Sequence, residues 1–163
     1  MTEFPPRFFA SDADVVHIGE GLLACTLARE EWTHEAHLAA CLWLLAERPD
    51  VDVDGEIAGI ISRFNESVGG VNDDHGGYHD TITRAYVAGV RRFLREWRGG
   101  EGLAERVNAL LASPMGAREW PLRFYSRELL FSVEARRGLA APDVAPLEGL
   151  RGRDGAPPRA VSR

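Results

Sequence analysis

The sequence predicts an all-α protein on three observations. Apolar residues recur at helical spacing in several long segments, and those segments open on Ser, Thr or Asp and close on Gly or Pro. No run of alternating β-branched residues stands between hairpin turns; the nearest, Val51-Asp52-Val53, alternates with aspartate and leads into a helix start. The expected architecture is a single-domain irregular helical bundle of about four to six helices.

Taken in order, the first eleven residues, rich in Phe and Pro, form an arm laid on the body, and Asp12 to Glu20 form a short helix ending near Gly21. Thr33 caps a second helix whose stripe is His34, His37, Leu38, Cys41, Leu44 and Leu45, with Pro49 forcing its end. Trp43 lies off that stripe and is free to serve another interface. Asp54 is the expected cap of a third helix carrying Ile57, Ile60, Ile61, Phe64 and Val68 until Gly69-Gly70 stops it. A glycine-rich polar loop, 69–77, precedes a fourth helix from Tyr78 to about Arg98 with His79, Ile82, Tyr86, Val90, Phe93 and Trp97 inward. Arg91, Arg92, Arg95 and Arg98 read as its solvated basic face, complementing the helix dipole. Leu103 to Ala112 is a fifth helix closed by Ser113-Pro114, and 121–125 and 132–137 are short helical pieces, the last capped by Ser132 and stopped by Gly138. Residues 1–148 then form the helical domain and 149–163, dominated by Gly, Pro and Arg, a disordered tail.

Composition narrows the function. The chain has 163 residues, 45% hydrophobic and 27% charged, enough for one sizeable core and too apolar for intrinsic disorder. The longest apolar run, Leu38 to Ala46, is far short of the roughly 20 residues that cross a bilayer, and the N-terminus lacks a signal-peptide pattern, so a cytoplasmic protein with no membrane partner is expected. A net charge of -6 disfavours nucleic acid as a partner. All 19 basic residues are arginine, which removes Schiff-base lysine chemistry and the Walker A loop. Cys25 and Cys41, set among apolar residues and outside any C-x-x-C spacing, read as reduced buried thiols.

The chemistry-bearing pattern is histidine. His34 and His37 stand one turn apart on one helix, and His79 opens another, so three inward imidazoles are placed to meet at one divalent ion. The competing reading is hydrogen-bonded histidines at a packing junction, because a buried imidazole without a partner costs about 1–3 kcal/mol. Asp73, Asp74, His75 and Asp80 are candidates for a fourth ligand or for its hydrogen-bonded support, with helix N-terminal charge compensation as the alternative for Asp73 and Asp74. His17 reads as packing or surface. Asp50 to Gly55 copies the opening of an EF-hand, but the twelfth position is Ile61 where a bidentate glutamate is required. The 69–77 loop matches neither G-x-G-x-x-G nor a phosphate loop, and no G-x-S-x-G occurs.

Trp32-Thr33-His34-Glu35-Ala36-His37-Leu38 and Gly77-Tyr78-His79-Asp80-Thr81-Ile82-Thr83 resemble the W/F-T-H-x-x-H-L and G-Y-H-x-T-I-T motifs of an uncharacterised bacterial family of small helical proteins. Asn65-Glu66, Tyr125 to Leu130, Glu134 to Arg137 and Pro142-Asp143 are similar to the same family's pattern, so the resemblance covers 32–147. Asn72-Asp73 departs from the Asn-Thr of that family. The resemblance implies a small standalone helical protein and carries no assigned reaction.

The resulting functional expectation is a metal-dependent enzyme acting on a small-molecule substrate, with His34, His37 and His79 holding zinc or iron. Glu66, Asp80 and Tyr86 are its acid–base candidates, and Tyr78, Arg84 and Arg123 its substrate-binding ones. Surface or helix-end ion pairing competes for Glu66 and Arg84, and core packing for Tyr86. The alternative is a metal-free small-molecule-binding or protein-interaction module with structural histidines; a third reading is a metal-free lyase or isomerase using one histidine as base.

Overall fold

The computed structural model describes residues 6–159, which form seven α-helices, three 3-10 turns and, among the described residues, no strand. No helix among them is long and apolar enough to cross a membrane. The α-helices are α1 (Asp12–Ala24), α2 (His34–Glu47), α3 (Val53–Ser67), α4 (Asp80–Glu96), α5 (Leu103–Ala112), α6 (Arg127–Leu130) and α7 (Val133–Arg137). The 3-10 turns are Arg29–Glu31, Pro114–Gly116 and Trp120–Arg123.

α2 is the central helix. It packs on α1, α4 and α5, and from Ala36 to Leu44 every residue but His37 is buried, so the helix is apolar nearly all round rather than striped. Trp43, off the sequence stripe, fills the contact with α1: a Cβ on Gly19 would lie 2.2 Å from its Cε3. Gly19 thus serves the approach of Trp43 and Gly21 that of Leu27, and α1 runs through both to Ala24 instead of stopping near Gly21. It ends on Cys25, a non-glycine residue held left-handed at φ 56°.

Other boundaries shift for equally local reasons. α3 starts one residue before Asp54, whose carboxylate accepts from Arg91 at 2.8 Å instead of capping. Arg91 thereby turns inward, away from the basic face assigned to it. α4 begins at Asp80, with His79 outside it as the cap. α5 spans Leu103–Ala112, as its pattern predicts, and Ser132 caps α7 by accepting from the Ala135 amide. Ser126 caps a further short helix, α6, which the sequence pattern does not reveal.

Three clusters of buried residues result. One joins α2 to α1, α3, α4 and α5; a second sets Ile18 and Leu22 of α1 against Ile60 and Phe64 of α3; a third closes Tyr125, Leu130 and Leu150 over α4. The N-terminal arm is tied down by Asn108, which accepts from the Phe9 amide at 2.8 Å and donates to its carbonyl at 2.9 Å. Leu150, placed by its composition in a disordered tail, is 5% exposed, and the Arg151 carbonyl accepts from Arg84 at 3.5 Å. The helical body therefore extends past residue 148; positions 160–163 of the expected tail, and 1–5 of the arm, lie outside the described residues.

Candidate functional site

A cavity of about 670 Å³ opens between α1, α2, α3 and α4, within the range of small-molecule sites. Its floor is apolar: Leu22 from α1, Leu38, Cys41 and Leu44 from α2, Ile57 and Ile61 from α3, and Val87 from α4. Its polar end gathers Trp32, Thr33, His34, Glu35 and His37 around the start of α2, Thr83 and Tyr86 from α4, and Arg7 and Arg118 from the flanking segments.

Thr33 builds this end. Its hydroxyl accepts from the Ala36 amide as the N-cap of α2, and its carbonyl accepts both the His37 amide at 3.0 Å and His37 Nδ1–H at 2.6 Å. Trp32 stacks on the His37 ring at 3.8 Å between centroids. His34 donates from Nε2 to the Gly116 carbonyl at 2.9 Å, and its ring meets Tyr86 edge-on at 5.9 Å. Tyr86 donates to the Ala117 carbonyl at 3.0 Å. A carbonyl oxygen only accepts, so these bonds fix the tautomers: His34 carries its proton on Nε2 and His37 on Nδ1. His34 Nδ1 and His37 Nε2 are left with lone pairs and no hydrogen-bond partner among the described residues.

The electrostatics agree with a neutral His37 ring. Burial pushes the His37 pKa down, to about 4, against the raising effect of the Thr33 bond, and the nearby Arg118 guanidinium pushes it further down. The ring is open to water in the cavity while walled by protein around it, which moderates the depth of that fall and not its direction. Burial raises the Glu35 carboxyl, but hydrogen bonds from its own amide and that of Arg7, with His34 close by, outweigh it and hold the group anionic. Burial also raises the Tyr86 hydroxyl, and pushes the Cys41 thiol up to about 12, so neither ionises readily.

His79 stands apart from this site, correcting the expected three-histidine convergence. Its Nδ1 accepts from the Ile82 amide at 3.2 Å, and its Nε2–H donates to the Leu130 carbonyl at 2.7 Å. One imidazole thus satisfies an orphan N–H at the start of α4 and an orphan C=O at the end of α6, leaving no nitrogen for a metal. No group of three or more His, Cys, Asp or Glu among the described residues is placed to hold a metal ion.

The remaining expected site residues separate into two other environments. Asp80 accepts from Tyr78 Oη–H at 2.6 Å and from Arg84 Nε at 2.9 Å, and Arg84 also donates to the Asp54 carbonyl at 3.0 Å. Tyr78, Asp80 and Arg84 therefore do not line the cavity and instead tie α3, α4 and the C-terminal segment together. Glu66 is exposed and accepts from Asn72 at 3.3 Å, and Arg123 is exposed on the turn after Trp120; neither lines the cavity. Asp73 folds its own loop by accepting from the His75 and Gly76 amides, while Asp74 pairs with Arg137 at 2.6 Å, which holds its carboxyl below the usual range. Asn72 closes that loop against Asn65 and the Tyr78 amide, beside Gly77 at a positive φ of 77°. His17 lies at the surface, paired with Glu31.

Of the expected set, the cavity thus collects His34, His37 and Tyr86. It adds Arg7, Trp32, Glu35, Thr83 and Arg118, of which Trp32 and Glu35 adjoin the H-x-x-H pair and Thr83 closes the G-Y-H-x-T-I-T stretch; Arg7 and Arg118 arrive from distant segments. Compared with protein-family models, curated proteins and solved structures, the chain matches none of them.

Proposed function

We propose that this protein binds a small, largely apolar molecule in the cavity between α1, α2, α3 and α4, without a metal. The observation that carries this reading is a cavity of about 670 Å³ lined mainly by apolar side chains with a small set of polar ones, the division of labour typical of ligand sites. A metal-dependent reaction with zinc or iron would need a third ligand beside His34 and His37, and His79 commits both ring nitrogens elsewhere.

The test is displacement of solvent from the cavity by a neutral fluorescent probe. N-phenyl-1-naphthylamine should bind at one site per chain with enhanced emission, quench Trp32 and raise the melting temperature by mass action. Ile61→Trp and, independently, Val87→Phe fill the floor and should weaken the probe at least about tenfold. Probe binding that neither substitution alters would refute the reading.

A further inference from the structure

At the cavity's polar end, three side chains spend their hydrogens on the protein itself. His34 donates to Gly116, His37 to Thr33 and Tyr86 to Ala117, each acceptor a backbone carbonyl. What these three side chains present to a ligand is therefore lone pairs alone: His34 Nδ1, His37 Nε2 and the Tyr86 oxygen. We propose that the cavity's ligand is an uncharged apolar molecule bearing a hydroxyl group, an alcohol or phenol, whose O–H donates to the His34–His37 pair; this rests on the cavity being a binding site.

The chemistry of the rim excludes the other head groups. A carboxylate could meet Arg7 or Arg118, but it has no hydrogen to give the two imidazoles and would require one of them to take up a proton. Burial and Arg118 both oppose that charge on His37. An ammonium group could donate, yet it would enter beside the same two guanidiniums with Glu35 as the single lining carboxylate among the described residues. An ether or hydrocarbon leaves the lone pairs without the water they had, at the cost of unpaired polar atoms. A hydroxyl supplies the missing donor with no net charge, and its own oxygen can accept from Thr83 or a rim arginine.

Wild-type protein is titrated with para-hexylphenol, para-hexylanisole and para-hexylbenzoate, each read by displacement of N-phenyl-1-naphthylamine. The phenol should bind about tenfold or more tighter than either relative, the discrimination expected when a cavity acceptor loses its donor. His34→Gln keeps an amide N–H where Nε2–H stood, and His37→Asn keeps one where Nδ1–H stood, so each deletes the ligand-facing lone pair while retaining the structural bond. Each should cut the phenol's advantage over the anisole to about threefold or less. Anisole binding as tightly as phenol refutes hydroxyl recognition and leaves the cavity reading standing, whereas displacement by none of the three refutes both. Preference for the benzoate with proton uptake would overturn the proposal in favour of an acid. Stoichiometric zinc binding lost in both variants would overturn it in favour of a metal pair.

Discussion

Replacing His79 by alanine removes two hydrogen bonds that no other residue can restore. The side chain caps α4 at the Ile82 amide and satisfies the Leu130 carbonyl 51 positions away in sequence, from a site only 8% exposed. Loss of a helix cap costs about 1 kcal/mol, and a buried carbonyl left without its donor about 1–3 kcal/mol. His79→Ala should therefore destabilise the protein by about 2–4 kcal/mol. His79→Asn restores a strong N-cap but is too short to reach Leu130, so it should recover about 1 kcal/mol of that loss. Urea denaturation measures both, as a lower midpoint at unchanged slope. Affinity of the folded variants for N-phenyl-1-naphthylamine should equal the wild type's, because His79 does not line the cavity. A cost under about 0.5 kcal/mol, or cavity binding abolished in a variant that is still folded, would refute the structural role derived for this residue.

Arg84→Leu strands the buried Asp80 carboxylate and the Asp54 carbonyl; breaking such a pair from one side costs about 3–5 kcal/mol, and hydrogen exchange should show residues 150–152 opening as the Arg151 contact is lost. Gly19→Ala forces a methyl group into the Trp43 ring and should cost about 1–3 kcal/mol in urea, with Trp43 emission shifted. Stability should also fall on acidification. Folding lowers the pKa of both His79 and His37, burial being the main cause, so their contribution is full above the unfolded imidazole value of 6.5 and is lost as pH drops toward the folded values, about 4 for His37. The loss between pH 6.5 and 4.5 should shrink in His37→Asn, and a wild-type stability flat across that interval would contradict the lowered pKa of these rings.

How much of this could be read from the residues depends on the distance over which each feature is decided. Helix caps are local: Thr33 and Ser132 cap as their positions suggest, because the bond runs to an amide three residues on. Asp54 satisfies the same local rule and yet does not cap, since Arg91, 37 positions away, claims its carboxylate. The H-x-x-H pair was legible as a site because helical spacing alone puts His34 and His37 together. Whether His79 joined them depended on α6, a four-residue helix with no periodicity to announce it. Arg118 was invisible for a similar reason: it is an exposed arginine on a turn, made relevant to the cavity by the packing of Gly116 and Ala117 on His34 and Tyr86.

The order of residues by itself determined an all-helical chain, the course of α2 and α5, the absence of lysine chemistry and the pairing of two imidazoles on one helix face. These follow from spacing, composition and bonds spanning three or four positions. Tertiary packing alone decided which ring nitrogens keep a lone pair, that His79 binds helix ends together, and that an apolar volume remains open beside His34 and His37. The reason is that a side chain's protonation and availability are fixed by the partners it meets, and those carbonyls lie 82 and 51 positions from His34 and His79.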